Sequence, residues 1–235
     1  MLRAGDAPPL DYAAFLDQCR GAVSDRVYRS LEELTMTDSV SAFDGGSLMN
    51  CLSLHRIRLL APPGGATCLP KILGETASEL DVRFLHGDAC TPLLFPAYTE
   101  ELEDLSPAHI FQRRIHGAGY SYRQCFDGAA LNLRQYDRAL SELAERHDFS
   151  VAAQVAVRRL AAPFALSDSA RADYLAVLRE HGGPLACALA KQGDSVSLHV
   201  LLSLSVLSDA GIDAACTAAR EAGQTAALSV LLAAG

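Results

Sequence analysis

The sequence AKQGDS at Ala190–Ser195, with the apolar run Leu198–Leu202 behind it, decides the predicted fold. A related stretch follows, REAGQT at Arg220–Thr225 with the run Leu228–Leu232, and it aligns Gly223 on Gly193. A helix, a tight glycine turn and a second helix ending in Leu-Leu is the plan of an ankyrin-like helical pair. The offset between the two stretches is shorter than the ankyrin period of about 33, and the Thr-Pro-Leu-His motif is absent. We therefore expect a degenerate stack of helical hairpins.

Helical structure is expected over almost all of the chain from Tyr98 onward. Ser167 stands near a predicted helix start, and the pair Gly182-Gly183 stands at a predicted helix end. The candidate helices span 131–146, 151–160, 167–181, 184–192, 196–207, 211–221 and 225–233. Because short connections join helices of this length, neighbouring helices are expected to run antiparallel. The sequence predicts a helical repeat-like domain over 98–235, ankyrin-like or α-solenoid-like in plan.

Strand patterns precede these helices. Residues 54–60 alternate apolar and polar side chains, which predicts a strand with one apolar face. Leu80–Leu85 and Cys90–Phe95 alternate around the loop HGDA, and a four-residue loop containing glycine between such runs is typical of a β-hairpin. Pro92 places the second of these strands at a sheet edge, because proline cannot donate a ladder hydrogen bond.

The fold class predicted from these elements is α+β, mostly α, with the strands in the first part of the chain. Helices are predicted over Leu10–Leu34 and over 69–78, the second with Pro70 near its first turn. A small mixed β region lies between about 40 and 96. Together these elements form a predicted N-terminal domain over 1–97.

Charge and cysteine usage exclude several classes of function. The 235 residues carry a formal net charge of −8, and no basic run offers a phosphate footprint, so nucleic acid is not an expected partner. The first residues lack the apolar region of a signal peptide, and no stretch is long enough to span a membrane. Seven cysteines are scattered without CxxC spacing, which argues against a zinc or thioredoxin-type motif. A cytoplasmic protein with reduced thiols is expected.

Two stretches resemble a known kind of bacterial protein. Ala42–Asp44 with Asn50–Leu59 resembles one turn of a leucine-rich repeat. SPAHIF at Ser106–Phe111 with IHGAGYSYRQCF at Ile115–Phe126 resembles a motif found downstream of such repeats in uncharacterised bacterial proteins. With the ankyrin-like tail, the resemblance covers residues 40–235 and implies a leucine-rich turn followed by a helical region. It implies no activity.

The second stretch contains the densest group of chemically capable side chains. The group consists of His109, His116, Gly117, Gly119, Tyr120, Tyr122, Arg123 and Cys125. A catalytic interpretation makes Cys125 a nucleophile and His116 its base, with the glycine backbone as a close-approach surface. A structural interpretation gives the glycines positive φ angles, packs the tyrosines and Phe126 beneath, and lets Arg123 bond carbonyl groups. We favour the structural interpretation, because no third member of a catalytic triad stands out.

The remaining candidates also have ordinary explanations. His109 and His116 stand seven residues apart, on one face of a continuing helix, but no third metal ligand accompanies them. The pairs Arg113-Arg114 and Arg158-Arg159 are expected to form ion pairs with the acidic run that begins at Glu100. We therefore predict a non-enzymatic protein-interaction module with an unidentified protein partner and without cofactor, metal or catalytic residues. The alternatives are a Cys/His-dependent hydrolase or transferase centred on His116 and Cys125, and a structural C-terminal cap of a leucine-rich-repeat protein.

Overall fold

The computed structural model describes residues 30–37, 40, 46–105 and 110–233, and about half of these residues are helical. The strands are β1 (Glu33–Thr37), β2 (Arg56–Leu60), β3 (Leu80–His86), β4 (Ala89–Phe95), β5 (Thr99–Leu105), β6 (Ile110–His116), β7 (Phe126–Asp127) and β8 (Ala130–Leu131). The helices are α1 (Leu69–Glu75), α2 (Gly119–Arg123), α3 (Leu133–Arg138), α4 (Leu140–Glu145), α5 (Phe149–Ala161), α6 (Asp168–Gln192), α7 (Ser195–Ser203), α8 (Asp209–Glu221) and α9 (Thr225–Leu232). The fold is mixed, with a small sheet region followed by helices, as the sequence predicts.

The chain packs into two compact units, Met1–Tyr136 and Asp137–Gly235. The sequence prediction put the domain boundary between 97 and 98 instead. Packing explains the later division. The Tyr136 hydroxyl donates to the carbonyl oxygen of Leu94 at 2.6 Å and accepts from the Leu94 amide at 3.1 Å, so the segment up to Tyr136 is bonded into the sheet unit.

The first unit is built on a four-stranded sheet in the order β1-β2-β3-β4. β1 and β2 are parallel, β2 and β3 are parallel, and β3 and β4 are antiparallel, which confirms the predicted mixed sheet. Ile57 and Leu59 of β2 and Val82 and Phe84 of β3 are buried and form the core face. The predicted hairpin is confirmed, and Pro92 lies on the edge strand as expected.

The two parallel pairings join residues at nearly equal intervals along the chain. Glu33 of β1 pairs with Arg56 of β2, and Arg56 in turn pairs with Asp81 of β3. The predicted helix over Leu10–Leu34 is therefore wrong at its end, where Glu33 and Leu34 belong to β1. Pairing with β2 and burial of Leu34 override the local helical pattern there. The earlier part of that predicted helix lies outside the described residues.

The prediction of helices directly after Tyr98 is wrong. Residues 99–105 and 110–116 instead form an antiparallel two-stranded sheet, β5 and β6. The acidic run lies on β5, and Arg113 and Arg114 lie on β6. Because cross-strand ion pairs join these oppositely charged residues, the two strands stabilise each other although neither is apolar.

The second unit is helical, and two of its predicted helices differ from the structure. The predicted helices over 167–181 and 184–192 form one helix of 25 residues, α6, which continues through Gly182, Gly183 and Pro184. A Cβ at Gly182 would lie 3.2 Å from the Leu207 side chain, so close packing explains the glycine without a chain break. The predicted helix over 131–146 divides into the short helices α3 and α4. The other predicted helices lie within a few residues of α5, α7, α8 and α9.

Capping side chains and a buried ion pair define this helical unit. The hydroxyls of Ser167 and Ser208 accept amide hydrogen bonds at the starts of α6 and α8, and Gly193 ends α6 at φ +74°. Arg159 is completely buried on α5 and donates through Nε to Oδ1 of Asp137 at 2.8 Å. The hydroxyl of Tyr174 donates to the same oxygen at 2.9 Å, so one carboxylate joins two buried polar side chains in the interior.

Candidate functional site

The predicted site is organised around the guanidinium of Arg123, which lies buried at the end of α2. Nε donates to the carbonyl oxygen of Thr76 at 3.0 Å, and Nη2 donates to that of Ser78 at 2.7 Å. Nη1 donates to the carbonyl oxygen of Gly119 at 2.9 Å and to that of Pro96. One side chain thereby joins three chain segments. The prediction that Arg123 bonds carbonyl groups is confirmed.

The Arg123 charge is held without a carboxylate among these partners. Its guanidinium carbon lies 4.9 Å from the centre of the Tyr98 ring, in position for a cation–π contact. Burial lowers the pKa of Arg123 from its usual value to about 10. The side chain is still protonated at neutral pH, so carbonyl dipoles and a ring face stabilise a buried cation there.

The two glycines of the motif allow the chain segments to approach each other. Gly117 adopts a φ of +88°, which side chains rarely allow, so the predicted positive φ is confirmed at this residue. A Cβ at Gly119 would lie 2.1 Å from the carbonyl oxygen of Pro96 and 2.5 Å from that of Ala97. Gly119 is therefore required for backbone contact, a reason that differs from the predicted one.

The tyrosines pack as an aromatic cluster beneath the motif. Tyr122 is completely buried and meets the Tyr136 ring edge-on at 4.8 Å, and Tyr136 meets Phe95 at 5.6 Å. Tyr120 meets Tyr98 at 5.7 Å. Sequence reasoning missed Tyr98 and Tyr136, because only the fold brings them to the motif and no spacing in the chain signals it.

The two residues of the catalytic interpretation lie in different environments. Cys125 is buried, and its Sγ lies 3.3 Å from the carbonyl oxygen of Ser121, to which it donates. The side chain of His116 is 54% exposed at the end of β6, where Nε2 lies 3.4 Å from Oε2 of Glu101. The catalytic interpretation requires an exposed Cys125 in a cleft, and burial removes that condition. His109 lies outside the described residues.

Metal binding and membrane insertion are two other possibilities for the described residues. Within them, no group of three His, Cys, Asp or Glu side chains is placed to hold a metal ion. None of the described helices combines the length and the apolar character needed to cross a membrane. Comparison with protein-family models, curated proteins and solved structures found no match to this chain.

The motif forms the base of a two-stranded projection, which we name the β-arm and define as β5 and β6. The described side chains of the β-arm, those of 99–103 and 112–116, are exposed or half-exposed on both faces, and Leu102 is 72% exposed. Arg114 pairs with Glu103 at 2.9 Å, and Arg113 pairs with Glu100, which confirms the predicted ion pairs. Arg159, which the sequence analysis also expected to pair with the acidic run, pairs with Asp137 instead.

Proposed function

We propose that the chain is a non-enzymatic, cytoplasmic protein-interaction module and that the β-arm is its contact element. The observation that carries this proposal is the exposure of the β-arm on both faces. An isolated two-stranded hairpin is marginally stable in water, and an unpaired strand edge is a ready template for another chain. Among the described strands, none pairs with the outer edge of β5 or of β6. A partner that covers Leu102 or adds a strand would satisfy both features.

The motif supports this proposal by fixing the base of the β-arm. Arg123 holds the carbonyl groups of Pro96 and Gly119, which stand just before β5 and just after β6. Arg113 lies over the Tyr120 ring at 5.2 Å and ties the arm to α2. An arm with an ordered base loses less conformational entropy on binding than a flexible loop.

The helical unit supplies a second line of support. Within it, α6 contacts α7 and α8 contacts α9, which closes two hairpins, and the hairpins meet through α6 against α8 and α7 against α9. These contacts favour an ankyrin-like stack of two helical hairpins, α6–α7 and α8–α9. Stacked hairpins present an extended surface, which is why proteins of this plan commonly bind other proteins. Cys68, Cys90, Cys187 and Cys216 are free thiols, as is usual in a reducing compartment.

One observation favours the structural-cap alternative. The parallel strands of the sheet recur at similar intervals along the chain, and each places an apolar residue at the same register position: Leu34, Ile57 and Val82. Both of these intervals fall within the period of a leucine-rich repeat, which is about 20–29 residues with one strand per repeat. In that role the chain would cover the end of a repeat array and bind no separate partner.

Affinity capture with a matched pair of variants tests the proposal. The full chain, Leu102→Asp and Val196→Asp are used as baits in native cell extract, and bound proteins are identified by mass spectrometry. Leu102 and Val196 are exposed to 72% and 74%, so each variant adds one charge at an equally exposed apolar site, one on the β-arm and one on α7. Circular dichroism confirms that all three baits are folded.

The proposal expects companions that bind the full chain and Val196→Asp and are lost with Leu102→Asp. Companions lost only with Val196→Asp would move the contact surface to the helical unit. A folded chain that captures no reproducible companion would refute the module and favour the cap.

A further inference from the structure

The described part of the chain leaves one face of the four-stranded sheet half exposed. Side chains alternate along β1, β2 and β3, so that one set is buried in the core and the other points away from it. Parallel strands are usually buried on both faces. The side chains of Arg58 and Arg83, which lie on this outer face, are instead 39% and 41% exposed. Arg58 and Arg83 are therefore accessible to another molecule from this face.

The strand register arranges this face in rows across the sheet. The first row consists of Glu33, Arg56 and Asp81, which stand opposite one another on β1, β2 and β3. Their charges alternate in sign. Arg56 Nη1 lies 3.3 Å from Glu33 Oε2, and Arg56 Nε lies 3.5 Å from Asp81 Oδ2. This row is balanced by its own neighbours.

The second row is not balanced in the same way. It consists of Thr35, Arg58 and Arg83, so that two arginines stand directly opposite each other on adjacent strands. Like charges in that relation are destabilising. Each arginine reaches back to the first row: Arg58 Nη1 lies 3.5 Å from Glu33 Oε1, and Arg83 Nη2 lies 2.9 Å from Asp81 Oδ2.

Among the described residues, two carboxylates therefore serve three guanidinium groups on this face. One positive charge is left over, in a chain whose formal net charge is −8. We infer that Arg58 and Arg83, which we name the arginine pair, bind a carboxylate on an extended acidic segment of a partner protein. Guanidinium groups match carboxylates in planar, two-bond geometry, and a single carboxylate placed between the two would remove their repulsion.

Apolar side chains beside the arginine pair specify the segment further. Leu60 and Leu85 lie two residues beyond Arg58 and Arg83 on the same face, and Leu60 is partly exposed. Two residues of strand span about 6.6 Å, which is also the distance between alternate side chains of an extended ligand. A segment with an acidic residue and, two residues along, an apolar residue fits both positions. The singly charged carboxylate also matches the single excess positive charge, whereas a doubly charged phosphate exceeds it.

This inference rests on the proposed function, because it too requires a protein partner, but it uses a different surface. Its test therefore measures direct binding to the full chain and does not depend on the β-arm. The probe is a fluorescein-labelled peptide, Thr-Glu-Thr-Leu-Thr with blocked ends, and fluorescence anisotropy reports binding. Control peptides carry Gln or phosphoserine in place of Glu.

Variants distinguish binding at the arginine pair from a general effect of positive charge on the protein surface. The double variant Arg58→Gln/Arg83→Gln removes the proposed site, and Arg134→Gln/Arg138→Gln removes two exposed arginines of α3 as a matched control. Arg58→Gln alone guards against misfolding, because it removes a like-charge contact and is expected to be as stable as the wild type. Circular dichroism checks each fold.

The Glu peptide is expected to bind the wild type and the α3 control equally. Loss of a charge-assisted contact predicts binding at least ~10-fold weaker for the Gln peptide, for Arg58→Gln and for the double variant. Equal binding of the Glu and Gln peptides, absence of binding, or preference for the phosphoserine peptide would each overturn the inference. If capture through the β-arm succeeds while the Glu peptide does not bind, the proposed function stands and this inference fails.

Discussion

Replacement of Arg123 by methionine tests how the sheet unit holds its central motif. Methionine fills a similar volume but removes donors from the carbonyl oxygens of Thr76, Ser78, Pro96 and Gly119. Counting about 1 kcal/mol net for each of the four hydrogen bonds gives a destabilisation of about 4 kcal/mol. Since a domain is stable by about 5–15 kcal/mol, this is a large fraction of the total. Lysine retains the charge but loses the planar arrangement of donors, so the stability of Arg123→Lys is expected to lie between those of the wild type and Arg123→Met.

Urea unfolding followed by tyrosine fluorescence measures this effect selectively. The chain has no tryptophan, and of its seven tyrosines only Tyr174 lies beyond the first unit. The fluorescence transition therefore reports the sheet unit, and circular dichroism at 222 nm follows the helices. The matched control is Arg113→Met, which removes an exposed guanidinium that pairs with Glu100 and is expected to change the transition little.

The pKa of Arg123 also predicts how its contribution to the free energy of unfolding changes with pH. The pKa of Arg123 is about 10 in the folded chain, below the value of an exposed arginine, so the folded chain binds this proton more weakly than the unfolded chain does. The contribution of this group to the free energy of unfolding therefore rises with pH between those two values and is constant below them. The difference between wild type and Arg123→Met should be flat from pH 6 to pH 9. A destabilisation below ~1 kcal/mol, or one equal to that of the control, would refute the bonding network.

Three further predictions follow from single positions. Gly119→Ala forces a Cβ into backbone oxygens and should destabilise the sheet unit by about 3 kcal/mol. Gly74→Ala places its Cβ in open space on α1 and should stabilise the same unit by up to ~1 kcal/mol. Urea unfolding measures both changes. Exposed Cys90 should react with iodoacetamide in the native protein and buried Cys125 only on unfolding, and equal rates by peptide mass spectrometry would contradict the assigned burial. Burial raises the pKa of the Cys68 thiol above its usual 9.0, so its contribution to the free energy of unfolding is complete below pH 9 and is lost as the pH rises further. Wild type and Cys68→Ala are therefore unfolded at pH 7–10.5, and the difference between their free energies of unfolding should narrow above pH 9. A difference that stays constant with pH would disprove this prediction.

The elements that the sequence predicted correctly are those whose signals are local. The hairpin of β3 and β4 has alternating side chains and a glycine loop within one continuous stretch, 80–95. The helix α1 has Pro70 in its first turn, and α6 begins where the Ser167 side chain caps it. Neighbouring residues alone determine such features, so no knowledge of the tertiary fold is needed.

The β-arm and β1 escaped prediction because their partners lie at a distance along the chain. An acidic run such as Glu100–Asp104 suits the first turn of a helix as well as a strand. Only its pairing with the strand that carries Arg113 and Arg114 decides for the strand. β1 likewise depends on β2, which lies well beyond it along the chain. Propensity at either site is weak, and tertiary pairing overrides it.

In the candidate site, too, the sequence identifies residue types but does not show which distant residues they contact. The sequence located the motif and the bonding role of Arg123, because a buried guanidinium among glycines and tyrosines has few other uses. It could not show that the carbonyl groups of Thr76 and Ser78, far earlier in the chain, are among its partners. Nor could it show that His116 ends a strand of the exposed β-arm. Arg123 instead bonds the carbonyl groups of Pro96 and Gly119 at the base of the β-arm. If the β-arm is the contact element that we propose, changes at Arg123 should weaken partner binding through that base, without contact to the partner itself.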